Sequence, residues 1–229
     1  PDVAGSGSPD ALTEADLDRF LCVVQSHEGA MIPEFTPPDE DPRLDMNASA
    51  KELVASFQEQ CQLLFDVERQ GKIWDRDTEW SQALKASRIS PARFATLVRD
   101  VSLAIMRVRL EARVDLARLV EQARRQVDET VRIMDEIDEI PPEDRTREAS
   151  TLRARSVIRL GRAVALVEFA ELVQQVPAES AAVVRRYSPK LKPLLPRGGS
   201  DELLAELKKL ATAPEGGVQP AGHEQPDGE

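Results

Sequence analysis

Residues 90–140 read SPARFATLVRDVSLAIMRVRLEARVDLARLVEQARRQVDETVRIMDEIDEI, and this stretch decides the fold class. Ser90 supplies a side-chain cap, and Pro91 suits the first helical position, where its missing N–H costs nothing. Between 92 and 140 there is no glycine and no proline. Phe94, Val98, Val101, Ile105, Val108 and Ala112 alternate spacings of four and three. Leu116, Leu119, Ala123, Val127, Val131, Met134 and Ile137 continue the stripe after one register slip near Asp115. Such a slip resembles a coiled-coil discontinuity. The spacing predicts one helix over about 91–138, roughly 70 Å long at 1.5 Å per residue.

Pro141-Pro142 end that helix, and the next runs over about 142–176 before Pro177. Its interior is read as Leu152, Val157, Ile158, Gly161, Ala165, Phe169, Leu172 and Val176. The small residues Gly161, Ala163 and Ala165 permit another helix to approach closely. Two long helices joined by a proline turn predict an antiparallel αα-hairpin. The first arm would overhang the second by roughly 20 Å. Its 91-side end would then need cover from the N-terminal helices and the link bearing Trp74 and Trp80.

The flanks extend the same pattern. A helix is expected over 13–25, where Thr13 and Asp16 form a capping box. Another is expected over 48–70, with Leu53, Val54, Phe57, Cys61, Leu64 and Phe65 on one face, ending before Gly71. Shorter helices are expected over 78–86, 178–187 and 201–211. In the last, Ser200 is the cap and Leu203, Leu204, Leu207 and Leu210 share one side. The loop 26–47 carries Pro33, Pro37, Pro38 and Pro42, which forbid regular helix. Met31, Ile32, Phe35 and Leu44 give it apolar side chains with which to lie on the helices as a strap. No strand signal appears. The expected class is all-α: a helical bundle with a long antiparallel hairpin. One helical domain, 10–211, is expected between a flexible N-terminus, 1–9, and a disordered acidic tail, 212–229.

The 229 residues carry a net charge of −11, unevenly placed. Residues 1–50 hold −9, residues 200–229 hold −5, and the middle holds +3. The whole-chain field therefore disfavours strong nucleic-acid binding, while leaving room for a local basic face. No window suits a membrane span, and two cysteines cannot build a disulfide scaffold. Of the 30 basic residues 23 are arginine, which points to a high-GC bacterial genome. The Gly/Ser stretch at 5–8 follows a first residue that is not Met, as a linker after a removed signal segment or a frayed end would. An exported or periplasmic location is expected ahead of a cytoplasmic one.

The catalytic inventory is thin. The only histidines are His27 and His223. His27, beside Glu28, fits a helix C-terminus better than a catalytic or metal-ligand role. Walker A, GxSxG, GxGxxG and HExxH motifs are absent. The acidic runs 39–41 and 135–139 lack EF-hand spacing and read as solvated faces. No cofactor and no metal ligand set is expected. A Cys22–Cys61 disulfide is conceivable across packed helices, but two separate small apolar side chains is the plainer reading.

Two constellations remain. Ile133, Met134, Ile137 and Ile140 approach the hairpin tip, while residues 143–151 of the facing arm offer only Ala149 as apolar cover. Either the tip suits a partner, or it packs on Leu152 or the terminal helices. Arg145, Arg147, Arg153, Arg155, Arg159 and Arg162 crowd the second arm, and Arg155, Arg159 and Arg162 share a face. That face would hold an acidic partner, unless intramolecular ion pairs occupy it. The first functional expectation is a non-enzymatic helical interaction or scaffold protein of the bacterial cell envelope, binding a protein partner or itself. The second is a ligand-binding bundle with a pocket formed by Trp74, Trp80, Phe57 and Phe94. The third and weakest is a carboxylate- or metal-dependent enzyme.

Overall fold

The computed structural model describes residues 11–27, 29–38 and 45–195. Among them every regular element is helical. These are α1 (Glu14–Ser26), α2 (Ala50–Leu64), α3 (Val67–Arg76), α4 (Thr78–Ala86), α5 (Pro91–Glu111), α6 (Leu116–Asp138), α7 (Arg147–Gln175) and α8 (Ala178–Leu191). Short 3₁₀ turns at Pro142–Asp144 and Lys192–Leu194 complete the set. The predicted helix 201–211, the tail 212–229, the N-terminal segment 1–9 and the acidic run 39–41 lie outside the described residues.

The expected single helix over 91–138 is two helices. The Leu110 carbonyl accepts the amides of both Arg113 and Val114, which closes α5. The Asp115 side chain accepts from the Arg118 amide and starts α6 afresh. The slip in the apolar stripe is thus a helix break, and the passage from one core to the other falls later, inside α6, where Leu119 and Ala123 belong to the larger core and Met134 to the smaller. The overhang disappears with it, since α7 has 29 residues and α6 only 23. The C-terminal half of α7 continues past α6 onto α5.

The larger core gathers α1, α3, α4, α5, α8, the start of α6 and the end of α7 around Leu17, Phe20, Trp74, Trp80, Leu84, Phe94, Val98, Val101 and Leu119. The smaller joins α2, the second half of α6 and the first two thirds of α7 through Ala50, Leu53, Met134, Val157, Leu160 and Val164. Each buried Leu or Phe contributes about 1.5–3 kcal/mol through area removed from water.

The helix starts behave as their cap residues require. Thr13 and Asp16 form the expected capping box, as do Ser49 and Glu52. Asp16 also receives Arg93 of α5 at 2.9 Å, so the cap ties α1 to the larger core. Burial pushes the Asp16 carboxyl up, but the Thr13 hydroxyl, the Thr13 amide and Arg93 together hold it below its ordinary value.

The strap is real where it is described. Ile32 is buried and its amide donates to the Leu194 carbonyl at 2.8 Å. Phe35 meets Trp74 edge-on, with ring centroids 5.9 Å apart. The Thr36 amide donates to Gln70 Oε1, and the Arg69 guanidinium donates to the Thr36 carbonyl. Met31 points outward, and Leu44 lies outside the described residues.

Gly71 corrects a second expectation. It does not end a helix; it sits inside α3, buried against α5. A Cβ there would lie 2.9 Å from the backbone nitrogen of Ala92. Alanine gains about 1 kcal/mol of helix propensity over glycine, but overpacking typically costs about 1–3 kcal/mol. Here the obstacle is backbone, so the steric cost wins. Gly71→Ala is therefore expected to lower the urea midpoint of unfolding. Gly161→Ala should cost less, because its obstacle is the Phe57 ring, which can turn. Asp16→Asn should lower Tm at pH 7. The Asp16 contribution is complete above the unfolded value of 3.8 and is lost as pH falls through the lower folded value, so the deficit should shrink in acid.

Candidate functional site

Three ion pairs set the register of α6 against α7. Arg124 meets Glu171 at 2.6 Å, Glu129 meets Arg159 at 3.7 Å, and Asp138 meets Arg153 at 2.6 Å. As the α6 position rises the α7 position falls, so the two helices form an antiparallel hairpin. α2 lies along one side of it. There Phe57 packs its ring on Gly161, and Gln58 donates to Glu168 at 3.0 Å. The opposite side of the seam carries no described helix.

The basic residues of the second arm divide sharply. Arg153 is buried and donates through Nε and Nη2 to the two carboxylate oxygens of Asp138, at 2.6 and 3.1 Å. It also donates to the backbone carbonyls of Met46 and Ala48, just ahead of α2. Arg145 reaches the same carboxylate at 2.9 Å and the Ile140 carbonyl at 2.9 Å. These two arginines close the hairpin turn and anchor α2.

Arg155, Arg159 and Arg162 are different. All three are exposed, and at 100° per residue they fall with Leu152 and Ile158 in a stripe about 120° wide. Arg155 and Arg162 make no ion pair or hydrogen bond with a described residue, while Arg159 has only its long contact to Glu129. Arg155, Ile158, Arg159, Arg162 and Ala163 line a groove of about 460 Å³ with Gln126 of α6. Leu152 and Ile158, expected in the interior, are 49% and 57% exposed.

The tip isoleucines also separate. Met134 is fully buried and Ile137 nearly so, so both are interior residues and not the partner contacts expected of them. Leu152 is not the cover expected for a packed tip; Met134 instead packs with Val157 and Leu160 of α7. Ile133 is half-exposed and Ile140 is 39% exposed. The hairpin register brings Ile133 level with Ile158 and Ile140 level with Leu152. The exposed parts of the two constellations therefore stand at the same levels of the hairpin, although the sequence pattern alone leaves them in separate places.

The tryptophan pocket is mostly filled. Trp74, Trp80 and Phe94 contact one another with centroids 5.3–5.7 Å apart, and His27 stacks on Trp80 at 3.9 Å. Phe57 belongs to the other core, so it cannot line that pocket. What remains is a cleft of about 470 Å³ beside the strap, lined by His27, Met31, Glu34, Asp77 and the edges of both tryptophans.

Cys22 and Cys61 are both free thiols, on helices serving different cores, which corrects the conceivable disulfide. Burial pushes the Cys61 thiol up and Glu168 adds to the shift, so it is a poor nucleophile at neutral pH. No group of three or more His, Cys, Asp or Glu side chains among the described residues converges to hold a metal ion. No described helix is long and apolar enough to cross a membrane.

Removing Arg153 would leave the Asp138 carboxylate and two carbonyls short of their donor. Arg153→Ala is expected to cost about 3 kcal/mol, the usual scale for breaking a largely buried pair, and Arg153→Lys should recover only part of it. Arg155→Ala, by contrast, should change the denaturation midpoint little. No protein-family model matches the chain, and no curated protein and no solved structure matches it.

Proposed function

We propose that the protein is a non-enzymatic helical docking module, and that the outer α6–α7 seam receives an acidic amphipathic helix of a partner protein. The observation that carries this reading is the pairing of exposed Leu152 and Ile158 with Arg155 and Arg162, which have no ion pair among the described residues, on one helix face. A hairpin with α2 against one side has room for a further helix on the other, the usual way in which four-helix arrangements are completed. Arginine is suited to the rim, because its fork grips a carboxylate in two places. An acidic helix with leucines at positions i, i+3 or i+4 and i+7 matches the seam in shape and sign.

The cleft beside the strap supports a second reading, a small-ligand site. It is the weaker one, because Trp74 and Trp80 are only 4% and 8% exposed and offer a ligand little aromatic surface. The reading as a carboxylate or metal enzyme has no converging donor set among the described residues.

A fluorescent helical peptide of roughly 15 residues, with leucines at those positions and glutamates between, tests the seam. The full chain should bind it in a salt-sensitive manner, and Arg155→Glu/Arg162→Glu should weaken binding about tenfold or more. A peptide carrying lysine for glutamate should not bind. Equal binding by the variant overturns the reading. So does a dimer, seen by light scattering, that the same substitutions disperse, since the seam would then take a second copy.

A further inference from the structure

A second groove lies between α5 and α8, far along the molecule from the hairpin turn. Its volume is about 440 Å³. Ile105, Val108, Leu191 and Leu195 form its apolar floor, and Arg109, Arg113 and Lys192 stand at its rim. Nearby cations are already engaged, for Arg107 and Arg185 share the carboxylate of Glu111. Arg109, Arg113 and Lys192 have no acidic partner among the described residues.

We propose that this groove is the seat of the chain's own segment 200–211. The sequence there is SDELLAELKKLA, with Leu203, Leu204, Leu207 and Leu210 at helical spacing and Asp201, Glu202 and Glu206 concentrated toward its start. Leu195, the last described residue, is itself a wall of the groove. Four residues, 196–199, separate it from the segment, and fully extended they span at most about 14 Å. Two of them, Gly198 and Gly199, allow the chain to reverse. A tether this short keeps the segment at an effective concentration in the millimolar range. The chemistry matches on both counts, leucines to an aliphatic floor and carboxylates to a rim of two arginines and a lysine.

Zero-length carbodiimide cross-linking of the full chain, read by peptide mass spectrometry, tests this. Lys192 should join Glu202 or Glu206 within the monomer, in a yield that does not depend on protein concentration. Leu204→Gln/Leu207→Gln should lower that yield about tenfold or more, although every carboxylate and the tether remain. Arg109→Glu/Arg113→Glu should do the same. A yield unchanged in the leucine variant means that the tether alone brings the groups together, and overturns the proposal. A cross-link formed only between chains assigns the groove to a second copy and overturns it equally, as does no cross-link at all.

Discussion

The turn at residues 112–115 divides the described structure. An unbroken helix would hold Phe94 and Met134 about 60 Å apart on one rod, with nothing near enough to cover both ends. The Leu110 carbonyl and the Asp115 cap end one helix and begin another within four residues. Leu119 and Ala123, just after the break, still pack in the larger core, and the apolar stripe passes to the smaller core only further along α6. The break also frees α6 to pair with α7 as a shorter hairpin, while the longer α7 bridges the two cores. α2 then lies on the hairpin, and the strap lies on α3.

Arg153 plays the corresponding part inside the smaller core. Four of its hydrogen bonds reach the end of α6 and the chain just before α2. Burying a guanidinium is costly unless its donors are matched, and here a carboxylate and two carbonyls match them. The arginine-rich arm therefore performs two tasks. Positions 145 and 153 close the fold from within, while positions 155 and 162 remain at the surface, without an ion pair among the described residues.

Much of this architecture is legible in the sequence. Helix starts at Thr13 and Ser90, the stop at Pro141-Pro142, and the strap lying on the helices through Ile32 and Phe35 follow from local chemistry that any reader of the chain can apply. The failures have physical causes. Gly71 reads as a helix end because glycine usually is one; only the close passage of Ala92 makes it necessary inside α3. Leu152 and Ile158 read as interior because α7 bears apolar residues on several faces, and periodicity does not say which face a neighbour takes. Arg153 resembles its surface neighbours in the sequence, since the carbonyls it needs lie more than a hundred residues earlier in the chain. Which residues of the two arms stand level follows from the hairpin register, which the packing of Met134 on Val157 and Leu160 carries together with the ion pairs between the arms.

The bond from Ile32 to the Leu194 carbonyl, with that from Leu12 to Ser180 and from Tyr187 to Asp18, has a consequence for the order of assembly. These contacts join chain positions separated by most of the described length. The smaller core needs nothing beyond α7, so it has all its parts while α8 is still being synthesised. The larger core does not, because α1 and the strap also need α8 and Leu194, which are made after every other described element. Closing so long a loop is slow compared with local helix pairing. During synthesis the faces of α1 and the strap that meet α8 and Leu194 therefore stand without that cover until those elements are made.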